Sequence, residues 1–312
     1  MIKSFIYLDE QKMYSLSSQI FEGITEYVLN ESGNDNEEKE SQKGPVGSGK
    51  ILADVIKNSS KSTEKKFLHD YSFTVFENYL RQEGRILDLS GSSIDLDEVK
   101  KSINDVSFVK VKARAIFNDV DKITELFTEF NTIGEALTHM GTYEEIQSLK
   151  AQLDELKGQT NDRNEKSRLE AEHKRLTNIP KLAKERGLHK DPRFMSDLAL
   201  LTKYGFSDQF EIQQIGGDIV FTSCLKREFL REKEDLLVKK YSRKTEKEVV
   251  VFGLISQAFS AFEPKIDDES EYENMKAGLM NIVEHLTNIE NSISGKQENE
   301  IVIDPIAAYF EV

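Results

Sequence analysis

The stretch Gly44-Pro45-Val46-Gly47-Ser48-Gly49-Lys50 comes nearest to a reactive motif in this chain, being one residue short of a phosphate-binding loop. Such a loop needs a Ser or Thr after the lysine to hold magnesium, a buried strand before the glycines, and a helix whose first amides face the phosphates. Here Ile51 stands in the hydroxyl position, and Asn30 to Lys43 upstream is polar and charged throughout, so it cannot pack as a core strand. The glycines therefore read as the end of a disordered charged insert at 30–49, and no cofactor is expected.

Other chemistry finds less support. His69, His139, His173, His189 and His285 are scattered, with no pair at i, i+3 or i+4 that could ligate a metal from one helix face. They read as exposed or capping side chains, and His189, near Arg186 and Arg193, is the best of them as an anion contact. Asp88 with Glu98-Val99-Lys100 imitates a metal-dependent nuclease pattern, but Asp95 to Glu98 looks like a capped helix start, not a strand. Cys224, the sole cysteine, sits in Ile219-Val220-Phe221-Thr222-Ser223-Cys224-Leu225 and reads as a small buried hydrophobe; no disulfide or multi-cysteine zinc site can form. No catalytic or metal-ligating set is assigned.

The elements that would position any site follow from pattern. Ile2 to Leu8 suits a strand, and Asp9 then caps a helix bearing Met13, Leu16 and Ile20. A second amphipathic helix carries Phe73, Phe76 and Leu80 and ends at Gly84, followed by a short strand at Arg85 to Leu89. Phe108 to Phe117 alternates apolar and basic residues, which predicts a strand with one buried and one wet face; a helix then runs to a break at Gly141. Thr142-x-x-Glu145 opens a further helix whose apolar residues Ile146, Leu149, Leu153 and Leu156 form a seam that resumes at Leu169, Leu176 and Ile179. Beyond Asp191-Pro192, strands are expected at Phe210 to Ile215, Asp218 to Leu225, Glu248 to Phe259 and Glu300 to Val312. A helix from Glu271 to Ile293 should cover one face of their sheet.

The expected fold is α+β, with antiparallel sheets covered by helices and a protruding helical hairpin or long helix. The expected organisation is an N-terminal α+β domain over 1–141, a helical hairpin or coiled-coil segment over 142–190, and a C-terminal α+β domain over 191–312. The chain of 312 residues is 38% hydrophobic, enough for a buried core, and has no apolar run of the length that spans a bilayer, so a cytoplasmic address without membrane contact is expected.

The formal charge of −14, from 56 acidic against 42 basic side chains, opposes nucleic-acid binding unless the positive charges segregate. Leu225 to Lys247 does hold nine Lys or Arg against five acids, which makes Lys226, Arg227, Arg231, Lys239, Lys240, Arg243 and Lys244 candidate anion-binding residues. Few aromatics are interleaved to stack on bases, so a solvated helix and turn is the favoured reading.

Three stretches carry a family resemblance: Phe5 to Glu10 with Tyr14 to Gly23, Phe108 to Lys112, and Ile303 to Tyr309. Together they resemble a bacterial family known as domain of unknown function 6414, over nearly the whole chain. The resemblance implies a bacterial cytoplasmic protein, associated in such families with defence or mobile-element loci, and it transfers no active-site residue. The combined expectation is a non-enzymatic adaptor, sensor or scaffold that engages a protein partner or a second copy through 142–179, with Ile146, Leu149, Leu153, Leu156, Leu169 and Leu176 at the contact. The alternative is a nucleic-acid-associated effector using the basic region 226–247.

Overall fold

The computed structural model describes residues 2–20, 62–90, 96–103, 106–158, 163–259 and 275–312. In chain order the elements are β1 (Lys3–Leu8), α1 (Glu10–Ile20), α2 (Ser62–Gln82), β2 (Ile86–Ser90), α3 (Leu96–Ser102), β3 (Phe108–Asp119), α4 (Val120–Gly158), α5 (Arg163–Thr177), α6 (Ile179–Glu185), α7 (Pro192–Phe206), β4 (Phe210–Gly216), β5 (Ile219–Leu225), α8 (Glu234–Tyr241), β6 (Lys244–Gln257), α9 (Met275–Ser294) and β7 (Glu300–Glu311). The Gly44 to Lys50 stretch lies outside the described residues.

Two compact units share the chain. One comprises Met1–Asp119, Gln209–Asn291 and Gly295–Val312; the other is helical and comprises Val120–Asp208 with Ser292–Ser294.

The first unit is built on a seven-stranded sheet whose strands β3, β4, β5, β7 and β6 close into a five-stranded ring. It is not the purely antiparallel sheet expected, because β2 pairs with β3 in parallel and β5 pairs with β7 in parallel. The first parallel pair has a local cause: α3 carries the chain back between β2 and β3, as a β-α-β crossover must. The second arises because α8, β6 and α9 intervene between β5 and β7, so no hairpin constrains their direction. Strands β3 and β7 are long enough to serve the ring at one end and to hold β2 and β1 at the other.

Two apolar cores occupy the two faces. The first draws on all five ring strands, with Val109, Phe117, Phe210, Phe221, Val251 and Ile303 buried inside the ring, and α3 and α8 add Val99 and Leu237. The second packs Met13 of α1 and Phe73, Phe76 and Leu80 of α2 on Val250, Phe252 and Tyr309. Strand β6 is buried on both faces from Val249 to Gly253, which is why its sequence is an unbroken apolar run without alternation. Gly253 permits the approach of β7: a Cβ there would lie 2.4 Å from Asp304 O.

Local signals explain the joints. Asp9 caps α1, its Oδ1 accepting from Lys12 N at 2.9 Å. Gly84 adopts φ +66° after α2, and Arg85 N donates to Leu80 O at 2.9 Å, closing the helix in a left-handed cap. Gly217, at φ +62°, turns β4 into β5.

Two expectations are corrected here. Gly141 does not end a helix: α4 runs unbroken through 39 residues, and the Thr142 hydroxyl donates back to Thr138 O at 2.8 Å instead of capping a new start. On the helix ending at Ser294, expected to cover the sheet, Leu279, Ile282, Val283, Leu286 and Ile289 are all exposed.

The helical unit holds a hairpin. The core of α4 and α5 consists of Ile146 and Leu176 with Leu182 of α6, flanked by Leu149 and Ile179. Farther along α4, Gly134 lies against the backbone of Leu188, so close that a Cβ would overlap its carbonyl oxygen. Asn131 reinforces this contact, its Oδ1 accepting from Lys190 N at 2.8 Å and its Nδ2 donating to Lys190 O at 3.1 Å.

Candidate functional site

Among the described residues, three clusters of convergent polar side chains stand out in the sheet unit. The most buried surrounds Glu77 of α2, which is 1% exposed. Its carboxylate meets Lys3 of β1, Lys110 Nζ of β3 at 3.3 Å, Arg81 at 3.1 Å and the Tyr309 hydroxyl at 3.2 Å. Lys110 also reaches Glu311 at 3.3 Å, and Lys112 pairs with Glu311 at 2.6 Å. Burial acts to raise the Glu77 carboxyl, but the Lys3 hydrogen bond and charge, with Lys110 and Arg81, outweigh it and hold the group below its ordinary value. Lys3 behaves oppositely: burial lowers its ammonium, and one carboxylate does not offset that cost. The asymmetry is physical, since Glu77 has several cationic neighbours and Lys3 a single anionic one.

This cluster corrects the wet face assigned to β3. Lys110 points to the polar side of the strand as the alternation predicts, but α2 covers that side and Glu77 and Glu311 receive the charge.

The second cluster centres on Asp9, fully buried at the start of α1. Its Oδ2 faces Lys226 Nζ at 3.2 Å and Lys12 Nζ at 3.6 Å, while Lys12 also bonds Asp304 and the Pro305 carbonyl. In the third, Arg231 bridges Glu10 at 3.1 Å and Asp70 at 2.8 Å. His69 completes it, with Nε2 3.3 Å from Glu10 and Nδ1 sharing a 2.6 Å hydrogen bond with Tyr14. Burial pushes the Tyr14 hydroxyl up to about 12 and raises Asp70 against the opposing pull of Arg231. His69 is thus a half-buried network member, not the exposed or capping residue expected. No periodicity reveals such a site, because Glu10, His69 and Arg231 come together only through the packing of three separate segments.

Chemically, these clusters pair cations with carboxylates and so pin β1, α1, α2 and the 226–231 segment to the sheet. Among the described residues no group of three or more His, Cys, Asp or Glu is placed to hold a metal ion.

The basic segment divides into paired and exposed members. Lys226 faces Asp9, Arg227 pairs with Asp119 at 3.0 Å and Glu234 at 2.7 Å, Arg231 binds Glu10 and Asp70, and Lys240 pairs with Glu232. Arg243 donates to Phe117 O at 3.0 Å, while Lys239 and Lys244 are exposed.

The seam residues are brought together in part. Ile146, Leu149 and Leu176 share the core of the helical unit, Leu153 is buried, and Leu156 and Leu169 are half-buried. His189 lies 3.4 Å from Glu135. Asp88 accepts from Ser90 N at 3.1 Å on β2, while Lys100 on α3 stacks its ammonium 5.2 Å from the Phe259 ring centre. Cys224 is exposed, contrary to the buried hydrophobe expected, because it falls on the outward face of β5 between inward Ser223 and Leu225; crowding around its sulfur, with Glu211 and Glu300, pushes the thiol up to about 11.

Most of the exposed large apolar side chains lie elsewhere, on helices. Leu126, Ile133, Leu137 and Met140 form an outward stripe on α4; Phe194, Leu200, Leu201 and Tyr204 stand out on α7; and α9 exposes five more. Among the described residues no helix is long and apolar enough to cross a membrane.

The family described as Domain of unknown function (DUF6414) matches residues 2–309. No curated protein and no solved structure matches the chain.

Proposed function

The chain belongs to the family DUF6414, and on that premise we propose a non-enzymatic bacterial cytoplasmic interaction protein, an adaptor, sensor or scaffold serving a defence or mobile-element locus. The observation that carries this reading is the distribution of exposed large apolar side chains, most of which lie on α4, α7 and α9, while the strands of the sheet unit bury nearly all of theirs, Ile215 of β4 excepted. Single exposed apolar residues are ordinary, but stripes at helical spacing mark surfaces that bind other chains. On α4, Leu126, Phe130, Ile133, Leu137 and Met140 follow one another at four, three, four and three residues, which suits a helical partner. The helical unit, which contains the 142–179 segment, is the proposed partner-binding part.

The alternative of a nucleic-acid effector has less to draw on, because Lys226, Arg227 and Arg231 are already engaged by carboxylates. The test is affinity capture from the native host with quantitative mass spectrometry, comparing the wild type with Leu137→Asp/Met140→Asp. Proteins enriched at least tenfold by the wild type and lost in the variant are the expected result. Identical recovery by both chains, or enrichment of nothing, refutes the reading.

A further inference from the structure

Helix α9 has 20 residues and leaves its apolar face uncovered: Leu279, Ile282, Val283, Leu286 and Ile289 are each between 45% and 57% exposed. A helix of this length draws most of its stability from packing, so such a face calls for an occupant. We infer that the occupant is the same face of α9 in a second copy of this chain, arranged antiparallel about a two-fold axis. This rests on the interaction reading above and deepens it by naming one partner.

Three observations select a second copy. The seam residues Leu279, Ile282, Leu286 and Ile289 are spaced three, four and three, the seven-residue repeat of a helix that packs against another helix. That spacing is the same read in either direction, and leucine alternates with isoleucine, so reversing one copy sets every leucine opposite an isoleucine: position 279 faces 289 and position 282 faces 286. A self-complementary stripe of this kind is what an isologous contact requires. Near the centre of the seam, Val283 adds apolar area, and the five positions of this face carry no Asp, Glu, Lys or Arg, so no like charges are brought together between them.

The area is sufficient for a specific contact. With about 100 Å² of apolar surface available on each of the five side chains, the pair buries on the order of 1,000 Å², the lower bound of a specific interface. An interface at that lower bound belongs to the weak, transient class, so the association is sought between 1 and 100 µM. At its C-terminal end the seam is limited by Ile293, whose Cγ2 fills the space beside Gly205 of α7.

The test is sedimentation velocity of the full chain from 1 to 100 µM, with Ile282→Asp/Leu286→Asp as the seam variant and Asn288→Asp as a control on another face of the helix. A monomer–dimer equilibrium in the wild type and control, weakened at least 100-fold in the seam variant, is expected. Because the substituted side chains are exposed, the variant should melt within about 2 °C of the wild type. A second measurement is independent of that variant: Val283→Cys in a Cys224→Ser background, treated with copper–phenanthroline, should give a disulfide-linked dimer, and Asn288→Cys should not. A wild-type chain that stays monomeric at 100 µM, or a dimer indifferent to the seam variant, overturns the inference. Host capture that depends on Leu137 and Met140 would leave the broader interaction reading standing in either case.

Discussion

Replacing Glu77 by alanine should destabilise the sheet unit severely, because it strands Lys3 in a protein interior without its carboxylate and leaves buried Lys110 only Glu311, which Lys112 already shares. Glu77 is 1% exposed and Lys110 6%, so solvent cannot take over from the missing carboxylate. Removing one partner of a buried ion pair costs about 3–5 kcal/mol. For a folding unit of this size each kcal/mol lowers the midpoint by about 2–4 °C, so thermal unfolding followed by circular dichroism at pH 7 should show a drop of about 10 °C. Adding Lys110→Met to Glu77→Leu should recover part of that loss, since the buried cation left with half of its counter-charge is then gone.

The pH dependence has a definite sign. Glu77 titrates in the folded chain below its ordinary value of 4.5, so its contribution is complete above 4.5 and disappears as the pH falls through the lower folded value. Wild type and Glu77→Gln should therefore differ most near neutrality and converge in acid. A Glu77→Ala midpoint within about 2 °C of wild type, or a further loss on adding Lys110→Met, would refute the argument that this network carries uncompensated charge when broken.

Two other outcomes follow from particular contacts. Gly253→Val places methyl-bearing carbon 2.4 Å from Asp304 O and 2.9 Å from Pro305 Cα, so β6 and β7 must separate, and urea denaturation should report a loss of about 2–3 kcal/mol; a loss below about 0.5 kcal/mol would mean that the strands already have room. Cys224, with its thiol raised to about 11, should react with iodoacetamide slowly at pH 8 and roughly tenfold faster per pH unit up to that value, and a rate at pH 8 equal to that of free cysteine would contradict the assigned environment.

Much of the fold was legible in local pattern. The strand–cap–helix start, the helix end at Gly84 and the strands expected at Phe210 to Ile215, Asp218 to Leu225 and Glu248 to Phe259 declared themselves, because each is set by residues adjacent in sequence. Closure of the ring was not legible, since it depends on β3 and β7 each serving different neighbours along their lengths, a matter of register that no single strand encodes. The continuity of α4 through Gly141 was missed for a related reason: helix-breaking propensity costs about 1 kcal/mol, and the packing of a 39-residue helix overrides it.

The polar clusters were hidden more deeply. Lys110 looked like a solvent-facing lysine, and nothing near it announced that Glu77, 33 positions away in the chain, would cover it. The stripe of α9 was visible as a helix, but its periodicity could not distinguish cover for the sheet from a face left open.

The discontinuous make-up of the sheet unit dictates an order of events during synthesis. Strand β6 can pair with β3 as soon as both are made, yet β1, β5 and β6 all need β7, so the ring stays open until Glu300–Glu311 has left the ribosome. The run Val120–Asp208, which contains almost all of the helical unit, meets no such delay and can collapse while the strands on either side still lack their last neighbour. Nascent chains stalled short of residue 300 would therefore expose β-edges rich in valine and phenylalanine, the state in which this protein is most open to aggregation and to rescue by chaperones.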